Sequence, residues 1–182
     1  YARLRDGQAI FYPLTLPEGL TSAEILRVID AVDLLPGDTP PVPAEGSLLP
    51  ETYMLPKSMT KAELITKMQK AQTELLDKLW ETRAPNLPIK TKQEAWILAS
   101  VVVKGTGRAC GREHVAGVFI NRLNRGIRLQ SDPTIIYGLT KGESLGRGLR
   151  RSEIDGHTDW NTYQIDGLPI SPICNPGATA IA

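Results

Sequence analysis

At 182 residues, with 41% hydrophobic and 23% charged side chains, the chain is long enough for one domain with a sizeable core and too apolar to be mainly disordered. Lys and Arg number 21 against 20 Asp and Glu, with the signs interspersed, so no basic footprint points to nucleic acid or an anionic membrane surface, and a neutral or zwitterionic polymer fits better. Cys110 and Cys174 stand far apart in no metal-ligand spacing, which leaves two free thiols or one disulfide open and disfavours a metal centre.

The residues from Gln8 to Leu16 alternate loosely, with Ala9, Phe11 and Leu14 apolar, and Pro13 makes this an edge strand. Pro17 to Leu20 turns the chain, and Thr21 with Glu24 forms a capping box ahead of a short helix carrying Ile25, Leu26, Val28 and Ile29. Four prolines between Pro36 and Pro43 read as a linker or subdomain boundary. Thr60 and Glu63 cap a long helix whose apolar residues Leu64, Met68, Ala71, Leu75 and Leu79 recur at spacings of three and four, until Ala84-Pro85-Asn86-Leu87-Pro88 stops it. Thr91 and Glu94 cap the next helix, which from Trp96 to Val103 is apolar almost all round, as a buried helix is.

Val115, Val118, Phe119 and Leu123 mark a further helix, closed by Gly126 at a C′ position. Arg128 to Thr134 then crowds Gln130, Ser131, Asp132 and Thr134 together without alternation, a polar segment that suggests a cleft. Lys141 to Gly156, rich in Gly, Ser and Arg, reads as a surface loop with one short helix near Ser152. Asn161 to Ile165 has strand character, and the Pro-Gly elements around it frame turns. The periodicities together predict an α+β fold, mainly helical with short strands. No apolar run approaches the ~20 residues of a membrane span. A chain that starts without Met and stops at Ile181-Ala182 reads as a fragment.

Several of these stretches together resemble one family. They are Glu45 to Tyr53, Ala99-Ser100 with Lys104 and Thr106, Val115 to Leu123, Leu129 to Gly138, Trp160 to Pro169 and Pro172 to Gly177. As an ordered set they resemble the YceG-like family, the MltG-type endolytic murein transglycosylases. The resemblance implies a domain division into residues 1–45, the remains of a small LysM-like subdomain with its Pro-rich linker, and 46–182, a C-terminally truncated transglycosylase domain. It implies cleavage of the bond between N-acetylmuramic acid and N-acetylglucosamine, no cofactor, and glycan strands as substrate. It further implies a place on the extracytoplasmic face of the inner membrane, through an N-terminal anchor that a truncated chain lacks, with cell-wall synthesis proteins as possible partners. Where the family carries Glu-Lys-Glu-Thr, with its catalytic glutamate, this chain reads Val103-Lys104-Gly105-Thr106.

Such an enzyme needs one carboxyl that protonates the leaving oxygen and then accepts a proton from the muramic C6 hydroxyl, and burial suits it by raising its pKa toward neutrality. Val103 cannot titrate and Gly105 has no side chain, so the chain is expected to be inactive or severely impaired as an enzyme. Two other carboxylates come near the motif. Glu113 reads as an exposed first-turn acid, and Asp132 reads either as a helix N-cap with Pro133 at N1 or as cleft-facing. Asn121, Gln130, Ser131, Asp132, Thr134, Tyr137 and Asn161 match family positions and carry groups suited to sugar hydroxyls and N-acetyl carbonyls, although backbone satisfaction or core packing accounts for several equally well. Arg147, Arg150 and Arg151 read either as solvated loop residues or as contacts for acidic peptide stems. Two further readings remain: a glycan-binding or scaffold module without turnover, and a pyridoxal phosphate lyase, for which Lys104 is the only central lysine and no phosphate-cradling loop accompanies it.

Overall fold

Three Thr-x-x-Glu signals start three helices. In the computed structural model, which describes residues 10–182, helix α1 (Ser22–Asp30) begins where Thr21 Oγ1 accepts from the Glu24 amide at 3.2 Å. The long helix α2 (Lys61–Glu81) and the helix α3 (Lys92–Gly105) each carry a reciprocal box, Thr60 with Glu63 and Thr91 with Glu94. A short 3₁₀ turn at Ala109–Gly111 leads into α4 (Arg112–Asn124). Gly126 closes α4 at φ 66°, and the amides of Gly126 and Ile127 reach the carbonyls of Leu123 and Arg122 at 3.1 and 2.8 Å. This is the Schellman pattern, and it needs a residue that tolerates a left-handed backbone. Helices α5 (Asp132–Thr140), α6 (Arg151–Asp155) and α7 (Ala178–Ile181) complete the set.

The sheet has two antiparallel strands, β1 (Phe11–Thr15) and β2 (Thr52–Pro56), with Phe11 opposite Pro56 and Thr15 opposite Thr52. Pro13 is tolerated because a strand in a two-stranded ribbon has a free edge. Of the expected strand, Gln8 and Ala9 lie outside the described residues. Helices with one small ribbon make an α+β fold.

Two expectations are corrected. The segment Asn161 to Ile165 is a series of turns rather than a strand. Its amides bond locally instead of to a neighbouring strand: Tyr163 N–H donates to Asn161 Oδ1 at 2.9 Å and Gln164 N–H to the Asn161 carbonyl at 2.9 Å. The cap of α5 lies one residue earlier than the Asp-Pro pair suggests. Ser131 is the cap residue, without a side-chain capping bond, and Asp132 and Pro133 are the first two helical residues.

Two buried clusters form the core. One joins Leu16, Ile25, Leu26, Ile29 and Leu35 to Leu48, Tyr53, Leu55, Leu64, Ile65 and Met68, so residues on both sides of position 45 share it. The other joins Leu98, Val101 and Val102 of α3 to Phe119, Leu129, Tyr137 and Ile173. Full burial of one such Leu stabilises the fold by about 1.5–3 kcal/mol. Helix α3 touches α2, α4, α5 and α7, which explains its apolar circumference. Ser100 fastens the 172–175 segment to it: its hydroxyl donates to the Ile97 carbonyl at 2.7 Å and accepts from the Ile173 amide at 3.0 Å. Cys174 is buried beside it with its thiol pKa pushed up by burial, while Cys110 is exposed, and both are free thiols.

A buried polar knot ties the segments 19–22 and 45–48 to Asn175. Asn175 Oδ1 accepts from the Leu48 amide at 3.0 Å, and its Nδ2 donates to the Leu20 carbonyl at 3.1 Å. Its own amide donates to the same carbonyl at 2.9 Å, and its carbonyl accepts from the Gly19 amide at 3.0 Å. Next to it, Glu45 Oε1 accepts from the Ser22 amide at 2.7 Å and Oε2 from the Tyr137 hydroxyl at 2.9 Å. Gly46 has φ 80°, and a Cβ there would lie 2.7 Å from Pro172, so the two segments meet only because residue 46 has no side chain.

Asn175→Ala leaves the buried Leu48 amide without a partner, which costs about 1–3 kcal/mol for that group alone; a fall in the denaturant midpoint with unchanged slope is expected, and a change within error would show the knot to be dispensable. Burial outweighs the hydrogen bonds and raises the Glu45 pKa above its ordinary value of 4.5. A raised folded-state pKa means that this contribution to stability is present below the unfolded pKa and is lost as pH rises through the folded one. Denaturation from pH 4 upward is therefore expected to show a decline that Glu45→Gln removes; parallel pH profiles for the two proteins would refute this.

Candidate functional site

Helix α3 is buried from Ile97 to Val103, and its last turn emerges at the surface: Val103 is buried, whereas Lys104 and Gly105 are exposed. Three hollows meet at Lys104. The largest, about 730 Å³, lies between α1 and α5 and continues under Gly142 to Leu145. The second, about 600 Å³, lies between α4 and α5 and reaches Gln130, Ser131, Asp132 and Tyr163. The third, about 420 Å³, is bounded by Glu18, Gly19, Glu24, Val103 and Arg112.

Residues two apart on an α-helix point about 200° apart, so positions 103 and 105 face opposite sides of the groove. Val103 faces the third hollow, where its Cγ1 sits 3.3 Å from the place a Cβ on Gly19 would take. A Cβ on Gly105 would lie 3.5 Å from Val115 Cγ1 and 4.0 Å from the Phe119 ring, in ordinary contact and opening into the second hollow. Gly105 is the last helical residue, and Thr106 caps α3 with its hydroxyl on the Val102 carbonyl at 3.3 Å.

Charge around the groove is mostly paired. Arg112 holds Glu18 and, at 2.7 Å, the Thr179 hydroxyl of α7. Arg27 reaches Glu143 at 2.8 Å across the mouth of the largest hollow. Lys104 donates to the Gly19 carbonyl at 3.3 Å and makes no ion pair among the described residues. On the α5 side, the Tyr163 hydroxyl donates to Asp132 at 2.6 Å, and that bond raises its pKa. Tyr137 stands edge-on to Trp160, with ring centroids 5.6 Å apart. Burial and the Glu45 carboxylate hold its hydroxyl protonated well beyond the usual tyrosine range.

The groove gathers some of the residues singled out by sequence and leaves others elsewhere. Gln130, Ser131 and Asp132 line the second hollow, and Tyr137 lines the first. Gln130 has a left-handed φ of 52°, unusual for a residue with a Cβ, and its amide donates to the Thr162 carbonyl at 3.2 Å. Thr134 is fully buried, and its hydroxyl is bound to the Ser131 carbonyl and the Thr162 hydroxyl at 2.6 and 2.8 Å. Asn161 is also fully buried, with Nδ2 on the carbonyls of Gly156 and Ile154 at 2.6 and 3.0 Å. Asn121 and Glu113 are exposed on α4 and border none of the three hollows.

Sequence reasoning did not single out Glu24, Arg27 and Glu143 as groove residues, nor Glu45 behind Tyr137. Glu24 was hidden by its capping role. Glu45 gave one signal, its place at the head of the Glu45 to Tyr53 block. Arg147 and Arg151 are occupied by Glu153 and Asp155 at 2.5 and 2.8 Å, and the first of these pairs holds the Glu153 carboxyl down to about 2. No helix among the described residues is long and apolar enough to cross a membrane.

The chain is 36% identical over 143 residues to the endolytic murein transglycosylase of Streptococcus pneumoniae serotype 2 strain D39, a match covering 75% of this chain and 25% of that protein. It is 31% identical over 140 residues to the endolytic murein transglycosylase of Bacillus subtilis strain 168, covering 76% of this chain and 37% of that one. The chain thus spans well under half the length of these relatives, 25% and 37%. In fold it is similar to the crystal structure of a yceG-like protein from Listeria monocytogenes, with a TM-score of 0.71 and 24% identity over 99% of this chain and 68% of that chain. The family description matched by residues 1–182 is that of the YceG-like family, and to that family this chain belongs.

Proposed function

We propose that this chain is the glycan-binding frame of a peptidoglycan transglycosylase domain, in which the position of the acid-base carboxyl, Val103, has been vacated. The observation that carries this reading is the groove itself, whose three hollows converge on the last turn of a helix buried from Ile97 to Val103. The names of the relatives support the substrate class: glycan strands of the cell wall, met in the cell envelope. Gln130, Ser131, Asp132 and Tyr137 supply the amide and hydroxyl groups for the sugars. Thr134 and Asn161 support the groove from behind through their backbone bonds.

In the reaction, a carboxyl at the groove gives its proton to the glycosidic oxygen as the bond from that oxygen to the muramic C1 breaks. The resulting carboxylate takes the proton of the muramic C6 hydroxyl, whose oxygen closes on C1 to form the 1,6-anhydro ring. No water is consumed, and one group serves as both acid and base. Position 103 suits that group better than position 105. It is buried, and desolvation raises a carboxyl's pKa toward the working range, while the Glu18 and Glu24 carboxylates of its hollow are offset by Arg112 and Lys104. A carboxyl at the exposed position 105 would lack that desolvation.

A second reading has its own support. With an intact groove and no carboxylate at 103 or 105, the chain can hold glycan strands without turning them over, as a binding or scaffold module beside the cell-wall synthesis machinery.

The assay is digestion of purified glycan strands by the unmodified chain, Val103→Glu, Gly105→Glu and the double variant, with 1,6-anhydro ends counted by mass spectrometry. Val103→Glu is expected to exceed the unmodified chain by about 10²–10⁴-fold, the usual contribution of a positioned acid-base group. Equal rates for the unmodified chain and the double variant would overturn the vacancy at Val103, and four inert proteins that still bind glycan would favour the binding module. Stability gives a second readout. A carboxyl at 103 is expected to titrate above the ordinary glutamate range, so Val103→Glu should lose stability relative to the unmodified chain as pH rises from 4 to 8; a constant difference across that range would place the new carboxyl in water.

A further inference from the structure

The largest hollow differs from its two neighbours in carrying an ion pair across its mouth. Arg27 of α1 and Glu143 of the loop after α5 both line it and meet at 2.8 Å. Their side chains are 59% and 65% exposed, whereas Arg112 and Glu18, the pair in the third hollow, are 11% and 30% exposed. The first pair therefore spans solvent, and the second is part of a wall. The backbone leading to Glu143 is held in place. The Thr140 hydroxyl accepts from the Gly142 amide at 3.2 Å, and the Lys141 ammonium lies 3.7 Å from the centre of the Trp160 ring and donates to the Gly138 carbonyl at 3.1 Å. Gly142, at φ 104°, rests on the start of α1, where a Cβ on it would collide with the Thr21 methyl. With the loop seated on α1 in this way, the parts left free to move are the Arg27 and Glu143 side chains, and exposed side chains change rotamer in picoseconds to nanoseconds. Glu24, three residues before Arg27 on α1, lines the same hollow and offers Arg27 a second partner at helical spacing when it releases Glu143.

We propose that the Arg27–Glu143 pair is a bar across the groove that sets how a glycan strand enters: closed, it lets a strand thread in by an end, and open, it lets the middle of a strand enter sideways. The inference rests on the glycan reading given above and adds to it a determinant of strand length. A polymer cannot pass a bridged opening at an internal repeat unless the bridge parts. A short fragment is almost all ends and is little affected by the bar, whereas a long strand offers many internal repeats and only two ends, so the closed bar removes most of its ways in. The sugar backbone is uncharged, and its hydroxyls compete weakly for two groups that already hold each other. The bar is nevertheless easily parted. An ion pair this exposed favours its closed form by up to about fivefold over the open one, and the entry of internal repeats is slowed by the same factor.

The test measures association rates of the whole chain with two ligands, long glycan strands and a tetrasaccharide of the same repeat, both stripped of peptide by an amidase so that no ligand charge meets the bar. The readout is the ratio of the rate per repeat on long strands to the rate on the tetrasaccharide. Glu143→Gln and Arg27→Gln are each expected to raise that ratio, by up to about fivefold. The double variant Arg27→Glu with Glu143→Arg remakes the pair with its charges exchanged and is expected to bring the ratio back to that of the unmodified chain. Salt of about 0.5 M should raise the ratio for the unmodified chain by screening the pair and leave Glu143→Gln unmoved. Both residues are exposed and outside the two buried clusters, so the variants are expected to fold. A ratio that neither single variant moves, or that the exchanged pair leaves at the single-variant value, overturns the bar and leaves the glycan reading standing. Failure to bind long strands and tetrasaccharide alike overturns both.

Discussion

The constraint on which the structure depends is the burial of α3. A helix apolar on all sides must be surrounded, and α2, α4, α5 and α7 do so. Once its middle is enclosed, only its two ends reach solvent, and the surrounding elements form a rim around the C-terminal one. The groove at Lys104 is therefore a product of the packing. Positions 103 and 105 have different surroundings because the helix turns about 200° between them, placing one against the Glu18–Gly19 segment and the other against α4.

The rim is fastened by polar groups far apart in sequence. Asn175 reaches Leu20 and Leu48, and Glu45 reaches Ser22 and Tyr137, so one buried knot fixes α1, the Gly46 turn, α5 and the segment after Pro172 relative to one another. An apolar contact could hold these segments together but would leave them free to slide. Hydrogen bonds of defined length set their register, and with it the spacing of the walls of the largest hollow, which α1 and α5 supply. A carboxylate half-sunk in that knot is tolerated because three donors meet it.

Much of the local structure was legible in the sequence because it is set locally. The three Thr-x-x-Glu caps, two of them full boxes, and Gly126 each declare a helix end through bonds among near neighbours. What the sequence concealed was decided over distance. Asn161 to Ile165 has β-prone side chains, yet Asn161 and Thr134 supply nearby acceptors for its amides, and turns result. Thr134 and Asn161 look like sugar contacts in a list of polar residues, but burial commits their groups to the backbone. Gln130, Ser131 and Asp132, two to four positions before Thr134, open onto the groove. The contribution of α1 was invisible because Glu24 had already been explained by its capping role.

The reach of the Asn175 knot also bears on how the chain acquires its shape. Its side-chain bonds to Leu48 and Leu20 span 127 and 155 residues, among the longest separations that a chain of 182 allows. Closing such a loop costs entropy before any contact repays it, so this step belongs late in folding, after the helices and the β1–β2 ribbon have formed. A nascent chain that has not yet delivered residue 175 therefore holds Leu20 and Leu48 with their backbone groups unmet.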